Sequence, residues 1–473
     1  MNIKKLVVLF MLVGIVLQSC DKLDAPPADS IDASKAFRNL EDVNMGVLGA
    51  YAPMNHTLIE SGSIVSDEVM LPTENTVSNT AAHRWLYDSS FGSVTSAFYD
   101  YYVTIARANQ VLEAIPNIPV TASTQGLMNQ YQAELLALKA YCHFELLRAY
   151  ASSYEPNGMG IPYMKQYEVG YPSRPTVQSN FDDINVDLKA AKDLMPAGFS
   201  NNTRITKTAI SAIQARVALY EKKWSDAITY ASEVIEKEPL APKNDFDKIW
   251  KDQSQAEVVW QLARVVGDSY IGASYFREIG EIVLYAPSFK LIEMFGNMAQ
   301  RADAVRFGSY IKYNTARPTG KSQYLVNKYV GGDSRYPGLA SVKLFRTGEM
   351  YLIRAEAELE NNNSAAGIAA AAKDLNDLRR ARIYNYIDQS FSDKQNLVNA
   401  IYTERFKELA FEGHRFFDLK RRNLPIERKT EDAINTSGAV KLEPTAAQYC
   451  FPIPTAEMKV NKNMRQNPNY GDE

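Results

Sequence analysis

The chain has 473 residues, 46% hydrophobic and 23% charged, the proportions of an ordinary globular protein with ample capacity for a core. Its 52 basic residues against 55 acidic ones give a net charge of −3, which argues against nucleic acid and against an electrostatic membrane patch. Three cysteines and four histidines, without ligand spacing among them, argue against a disulfide framework and against a dedicated zinc site.

At the start, Lys4 and Lys5 precede an apolar run from Leu6 to Leu17. Such a run rises about 18 Å as a helix, short of a hydrocarbon core about 30 Å thick. A basic start followed by a short apolar run predicts a secretory signal over residues 1–19. It ends in Leu17-Gln18-Ser19-Cys20, which resembles a bacterial lipobox and makes Cys20 the expected lipidation site. Removing that signal takes two lysines and leaves 50 basic against 55 acidic residues, or −5. Residues 20–33 then read as the lipidated cysteine and a polar tether, with a Pro pair in DKLDAPPADS. Cys142 lies within an apolar helical pattern and reads as a buried free thiol, while any pairing with Cys450 stays open.

Helical periodicity dominates after the tether. From 96 to 115, Phe98, Tyr102, Ile105, Asn109 and Leu112 fall on one face before Pro116. From 131 to 151, Ala137, Tyr141, Phe144, Leu147 and Ala151 repeat the spacing, and Phe345, Gly348, Leu352, Ala355 and Leu359 do so between 344 and 360. Arg354 and Glu358 form an expected i,i+4 pair on the outside of that last helix. Within 205–239, a helix, a turn at Trp224 and a second helix stopped by Pro239 match a tetratricopeptide-like pair, without a regular repeat along the chain. Residues 55–95, 152–178 and 264–285 read as long loops, and EVVWQLARV (257–265) and SQYLVNKYV (322–330) as short strands.

Four stretches together resemble the SusD/RagB outer-membrane nutrient-binding lipoproteins of Bacteroidota: AELLALKAYCHFELLRAYASSYEPNGMGIPY (133–163), KLFRTGEMYLIRAEAELENN with DLNDLRRAR (343–362, 374–382), AIYTERFKELAFEGHRFFDLKR (400–421) and FPIPTAEMKVNKNMRQNPNY (451–470). The resemblance implies a mainly α fold of tetratricopeptide-like helix pairs, with an irregular loop-rich part and a few short strands. It implies an N-terminal region over 34–250 and a C-terminal region over 251–473, packed as one body. It further implies an outer-membrane, lipid-anchored, surface-exposed binding protein. Such a protein acts as a hinged lid on a TonB-dependent (SusC-like) barrel and takes up oligosaccharides or, in some members, peptides. Phe98 stands where the family often has tryptophan, a change expected in the core.

The stretch ERFKELAFEGHRFFDLKRR (404–422) is the densest group of ionisable residues. Glu404, Glu408 and Glu412 stand four apart, and two carboxyls about 5 Å apart are what a retaining glycosidase requires. Yet Arg405–Glu408, Glu412–Arg415 and Arg415–Asp418 all fall at i,i+3, and a carboxylate beside arginine ionises readily, unlike a general acid. His414 and Asp418 lack a third metal ligand. We therefore expect structural ion pairing there, no catalytic residues, no metal and no cofactor.

Sugar binding needs aromatic faces and planar hydrogen-bonding groups in loops. Trp85 and Tyr87 fit, with His83, Arg84 and Asp88 beside them and Asp67, Glu68, Glu74 and Asn75 nearby; Tyr270, Tyr275 and Phe276 form a second group. The competing expectation is that Trp85 packs beneath its own loop. Trp224, Trp250 and Trp260 read as structural.

Overall fold

A computed structural model describes residues 36–76, 78–277, 282–296 and 302–471. The expected signal segment, Cys20 and the tether all lie outside these residues. Among the described residues no helix is long and apolar enough to cross a membrane.

The fold is mainly helical. Its N-terminal part contains α1 (Leu40–Tyr51), α2 (Thr57–Val65), α3 (Gly92–Ala114), α4 (Gln125–Tyr150), α5 (Val177–Leu194), α6 (Lys207–Glu221) and α7 (Trp224–Lys237). The C-terminal part contains α8 (Thr347–Asn361), α9 (Ala365–Arg382), α10 (Lys394–Glu408) and α11 (Arg415–Arg421). Several begin at residues suited to capping. Thr176, Thr206 and Asp393 accept the backbone N–H of Ser179, Ala209 and Asn396, filling donors that a helix start leaves empty. The turn between α6 and α7 closes with Lys222 in the left-handed conformation and its neighbour's N–H returned to the Ala218 carbonyl.

From α3 to α9 each helix packs on the next along the chain, so the expected isolated pairs adjoin one another. α4 is their axis. From Tyr131 to Tyr150 it is buried nearly all round, not on one face as the spacing predicts, because α3 and α5 flank it and the C-terminal part closes over it. Its buried charges are consequently paired: Glu134 with Arg204, Lys139 with Asp187, and Glu145 with Arg148. Phe98 is buried against Tyr102 and Tyr150, as a core residue.

Two strands run through the core. β1 (Val258–Leu262) pairs antiparallel with β2 (Val342–Arg346), with irregular register around Trp260, whose indole stacks on Phe345. β2 leads directly into α8, and this places Arg346 at the centre of the molecule. One hydrophobic cluster extends from Val43 to Met464, joining both parts of the chain.

Some sequence expectations shift. Residues 57–65 form a helix inside the expected loop 55–95. Arg354 does not pair with Glu358 but reaches Asp374 on α9 with both arms, at 2.8 and 2.7 Å. The strand expected over 322–330 is confined to Tyr324–Val326. Cys142 and Cys450 are both buried free thiols.

Candidate functional site

The loop segments 66–90 and 264–296 meet on one face. Val69 and Met70 pair with Pro287 and Ala286 as a short antiparallel bridge. Asn75 donates to the carbonyls of Leu284 and Ser78, at 2.9 and 3.0 Å. Arg277 reaches the Ser78 hydroxyl at 2.8 Å, and Ser274 donates to Glu60 at 2.6 Å. Chain geometry forces the interlock: Asn79 and Trp85 flank the turn Thr80–His83 in the left-handed conformation, turning the segment back on itself.

The expected ligand residues divide by exposure. Trp85 lies under its own loop, its indole N–H donating to the Val65 carbonyl at 2.8 Å and its ring covered by the Arg428 guanidinium 4.0 Å away. His83 is buried, with Nδ1 2.8 Å from the Ile64 carbonyl, and burial holds its pKa well below the ordinary value. Tyr87 donates to the Gln448 carbonyl, and Tyr275 stacks on Tyr329 with its hydroxyl 3.1 Å from Ser63. Asn75 and Asp67 are buried too. Burial pushes the Asp67 carboxyl up, but Arg415 and Lys290 outweigh it and hold the group well below the usual range. Arg84, bound to Asn435, and Tyr270 remain half-exposed. The open stacking platform expected at Trp85, Tyr87 and Tyr275 is therefore closed in this structure, because each ring fills the space beneath the loops that carry it.

What the face does present is a different aromatic group. Ile311–Tyr313 and Tyr324–Val326 form a hairpin on which the Tyr313 and Tyr324 rings lie 4.6 Å apart, with Phe289 edge-on to Tyr324. Tyr313 is 37% exposed, and Ile282 and Leu86 are exposed nearby in the chain segments that make up the face. Arg317 fastens the hairpin to the first loop through Nη2, which reaches both Glu74 carboxylate oxygens, at 2.9 and 2.7 Å. The alternation in SQYLVNKYV marks one strand of this hairpin. Its partner, IKY, is too short to carry a period.

Behind the face lies a buried ionic hub built on the 404–422 stretch. Glu408 receives Arg346, Arg382 and Arg306 at 2.9, 3.0 and 3.1 Å; Glu257 receives Arg346 and Arg382, and Glu412 receives Arg346 and Lys328. Glu404 binds Arg306 and Arg379, and Asp418 binds Arg405 and Arg421. Burial raises the carboxyls of Glu404, Glu408, Glu412 and Asp418, yet the neighbouring cations prevail, with Glu404 and Asp418 both brought down to about 2. Structural ion pairing holds, but through other pairs than the three expected at i,i+3: the glutamates take arginines from distant segments, and Asp418 takes Arg405 and its i,i+3 neighbour Arg421. α10 ends at Glu408, and Phe411 and Gly413 turn through positive φ, so residues 404–418 do not share one helix. A Cβ on Gly413 would stand 2.8 Å from the Ile59 Cα, which is why this turn can nest against α2. Among the described residues no three His, Cys, Asp or Glu side chains group to hold a metal ion.

A family model described as "SusD family" matches residues 296–470, and a second, "Starch-binding associating with outer membrane", matches residues 25–219. The chain belongs to the SusD family. Two SusD-like proteins of Formosa agariphila are each 23% identical to it, over 87% and 99% of this chain and 90% and 100% of theirs. SusD superfamily structures from Bacteroides thetaiotaomicron and Bacteroides vulgatus superpose with a TM-score of 0.81 each, at 22% and 24% identity, over 91% and 92% of this chain and all of theirs. A SusD-like carbohydrate binding protein from Bacteroides vulgatus aligns at a TM-score of 0.76 and 20% identity, over 90% of this chain and 98% of its own. In this SusD-family chain the arginine hub is a framework, and the loop face is its outward product.

Proposed function

We propose that this protein is a cell-surface glycan-binding lipoprotein that captures oligosaccharides on its loop face and delivers them, as a lid, to a TonB-dependent, SusC-like outer-membrane barrel. Cys20 is its lipid anchor in this reading. The observation that carries the binding role is the Tyr313–Tyr324 ring pair, with Tyr313 exposed and Tyr324 half-buried, on a hairpin fastened by Glu74 and Arg317. A pyranose presents a flat C–H face to such rings, and Arg84, Arg277 and Tyr270 stand on neighbouring segments as hydrogen-bonding groups. A fastened face loses little freedom on binding, so more of the stacking energy appears as affinity. The hub carboxylates, held ionised by arginine, are poor general acids, which favours binding over hydrolysis.

Affinity gels over a panel of neutral and acidic polysaccharides, with a peptide panel beside them, test the ligand class. Retention by a polysaccharide is expected; retention by peptides alone transfers the same lid role to peptides. Purification from detergent-solubilised outer membranes is expected to bring a TonB-dependent barrel with the chain. Release of reducing ends from the panel would overturn the non-enzymatic reading.

A further inference from the structure

A second recess uses none of the loop-face residues. It is a cleft of about 560 Å³ between the Ser152–Glu155 segment, the α6–α7 turn, α8, α10 and the end of α11. We propose that this cleft binds an acidic saccharide, one carrying a carboxylate or a sulfate ester, with Arg422 as the anion-recognising group and Trp224 as the stacking wall.

The argument rests on how the charges in the cleft are distributed. Arg421 is engaged by Glu356 and Asp418, and Lys222 by Glu155. Glu360 is paired with Lys394. Lys420 donates to the main-chain carbonyls of Ala151 and Arg148 and to the Cys450 sulfur, and among the described residues no carboxylate meets it. Arg422 has its guanidinium carbon over the Tyr402 ring, 3.3 Å from the centroid, and among the described residues it makes no side-chain hydrogen bond or ion pair. The cleft therefore keeps positive charge that its own acids do not neutralise.

Arg422 is also held in place. The Tyr402 hydroxyl donates to Glu356, which Arg421 grips, so the ring beneath the guanidinium is fixed. A stacked guanidinium offers a planar fork of donors that matches a carboxylate or sulfate with two parallel bonds. Asn423 follows it at positive φ, exposed and with a side-chain amide that makes no hydrogen bond among the described residues, suited to sugar hydroxyls. Trp85, Trp250 and Trp260 are all buried, whereas Trp224 is only half-buried and lines this cleft. The volume lies within the usual range for a small-ligand site, roughly 300–1,000 Å³.

The test is titration calorimetry of the chain from residue 21 onward with tetragalacturonate, a sulfated galacto-oligosaccharide and neutral cellotetraose. At least one anionic probe is expected to bind more tightly than cellotetraose and to weaken as salt rises. Arg422→Gln is expected to cost about tenfold or more in that affinity, with Arg422→Lys intermediate because it keeps the charge and loses the fork. Arg422 is only half-buried, and an unchanged melting temperature checks that the variants fold. Tyr313→Ala, on the loop face, is expected to leave this binding intact. Anionic probes that bind no better than cellotetraose, or full affinity in Arg422→Gln, would overturn the proposal. Loss of the anion affinity in Tyr313→Ala with none in Arg422→Gln would place the ligand on the loop face instead.

Discussion

Arg415 places both arms on the Asp67 carboxylate, at 2.6 and 2.7 Å, across 348 positions of sequence. Lys290 reaches the same carboxylate at 2.7 Å, so three remote segments share one buried contact. This contact joins the ionic hub to the loop face.

Removing Arg415 leaves the buried Asp67 carboxylate to Lys290, with two of its three charge-assisted bonds lost. Arg415→Met is expected to destabilise the protein by about 3–5 kcal/mol in denaturant unfolding. Asp67→Asn in the same background is expected to restore part of that loss, since the under-compensated carboxylate is then neutral. The Asp67 pKa is depressed in the folded state below its ordinary 3.8, so its contribution is present above that pH and disappears as the pH falls further.

Glu408 is the hub's most heavily engaged carboxylate. Glu408→Gln leaves three arginines short of charge and is expected to lower the melting temperature strongly, by the equivalent of about 3 kcal/mol. Ligand affinity at 25 °C is expected to stay the same. A fall in affinity with an unchanged melting temperature would make Glu408 a binding residue and overturn its structural assignment.

Glu68 behaves in the opposite sense. Burial pushes its carboxyl up to about 7. A raised folded pKa means that its stabilisation is complete below the unfolded value of 4.5 and is lost as the pH rises through about 7. Glu68→Gln is expected to raise the melting temperature at pH 8 relative to wild type more than at pH 5, by the equivalent of about 2 kcal/mol. Parallel melting curves for the two proteins from pH 5 to pH 8 would contradict this.

Trp85 and Tyr313 separate packing from capture. Trp85→Ala empties a buried site and is expected to cost about 3–5 kcal/mol of stability. Tyr313→Ala removes a half-exposed ring, with little effect on stability, and is expected to weaken oligosaccharide capture by about tenfold. Equal capture by Tyr313→Ala and wild type would remove this hairpin from the binding face.

The helical framework was legible where the apolar spacing is long. The segments around 92–114, 207–237 and 347–361 carry enough turns for a 3.6-residue period to emerge. α2 was not legible, because TLIESGSIV mixes β-branched residues, serine and glycine, and becomes helical through burial between α3 and α11. The role of 404–422 was legible as ion pairing, because acids and arginines crowd together there. Its partners were not: Arg306, Arg346 and Arg382 stand in separate segments, and nothing local distinguishes them from surface arginines. The loop face was legible only as a region, since Trp85 and Tyr313 are both aromatic residues in irregular stretches and exposure alone tells them apart.

The bonds from Asp67 to Arg415, Arg84 to Asn435 and Tyr87 to Gln448 also set the order in which this molecule can assemble. Each joins an early segment to one made more than three hundred residues later. Closing loops of that span is slow and comes late in folding. During synthesis, the side chains of Asp67, Arg84 and Tyr87 wait without these partners until the final stretch arrives. A chain cut short before Asn435 therefore loses more than its tail: it never closes the face near its beginning, and a quality-control protease meets it there first.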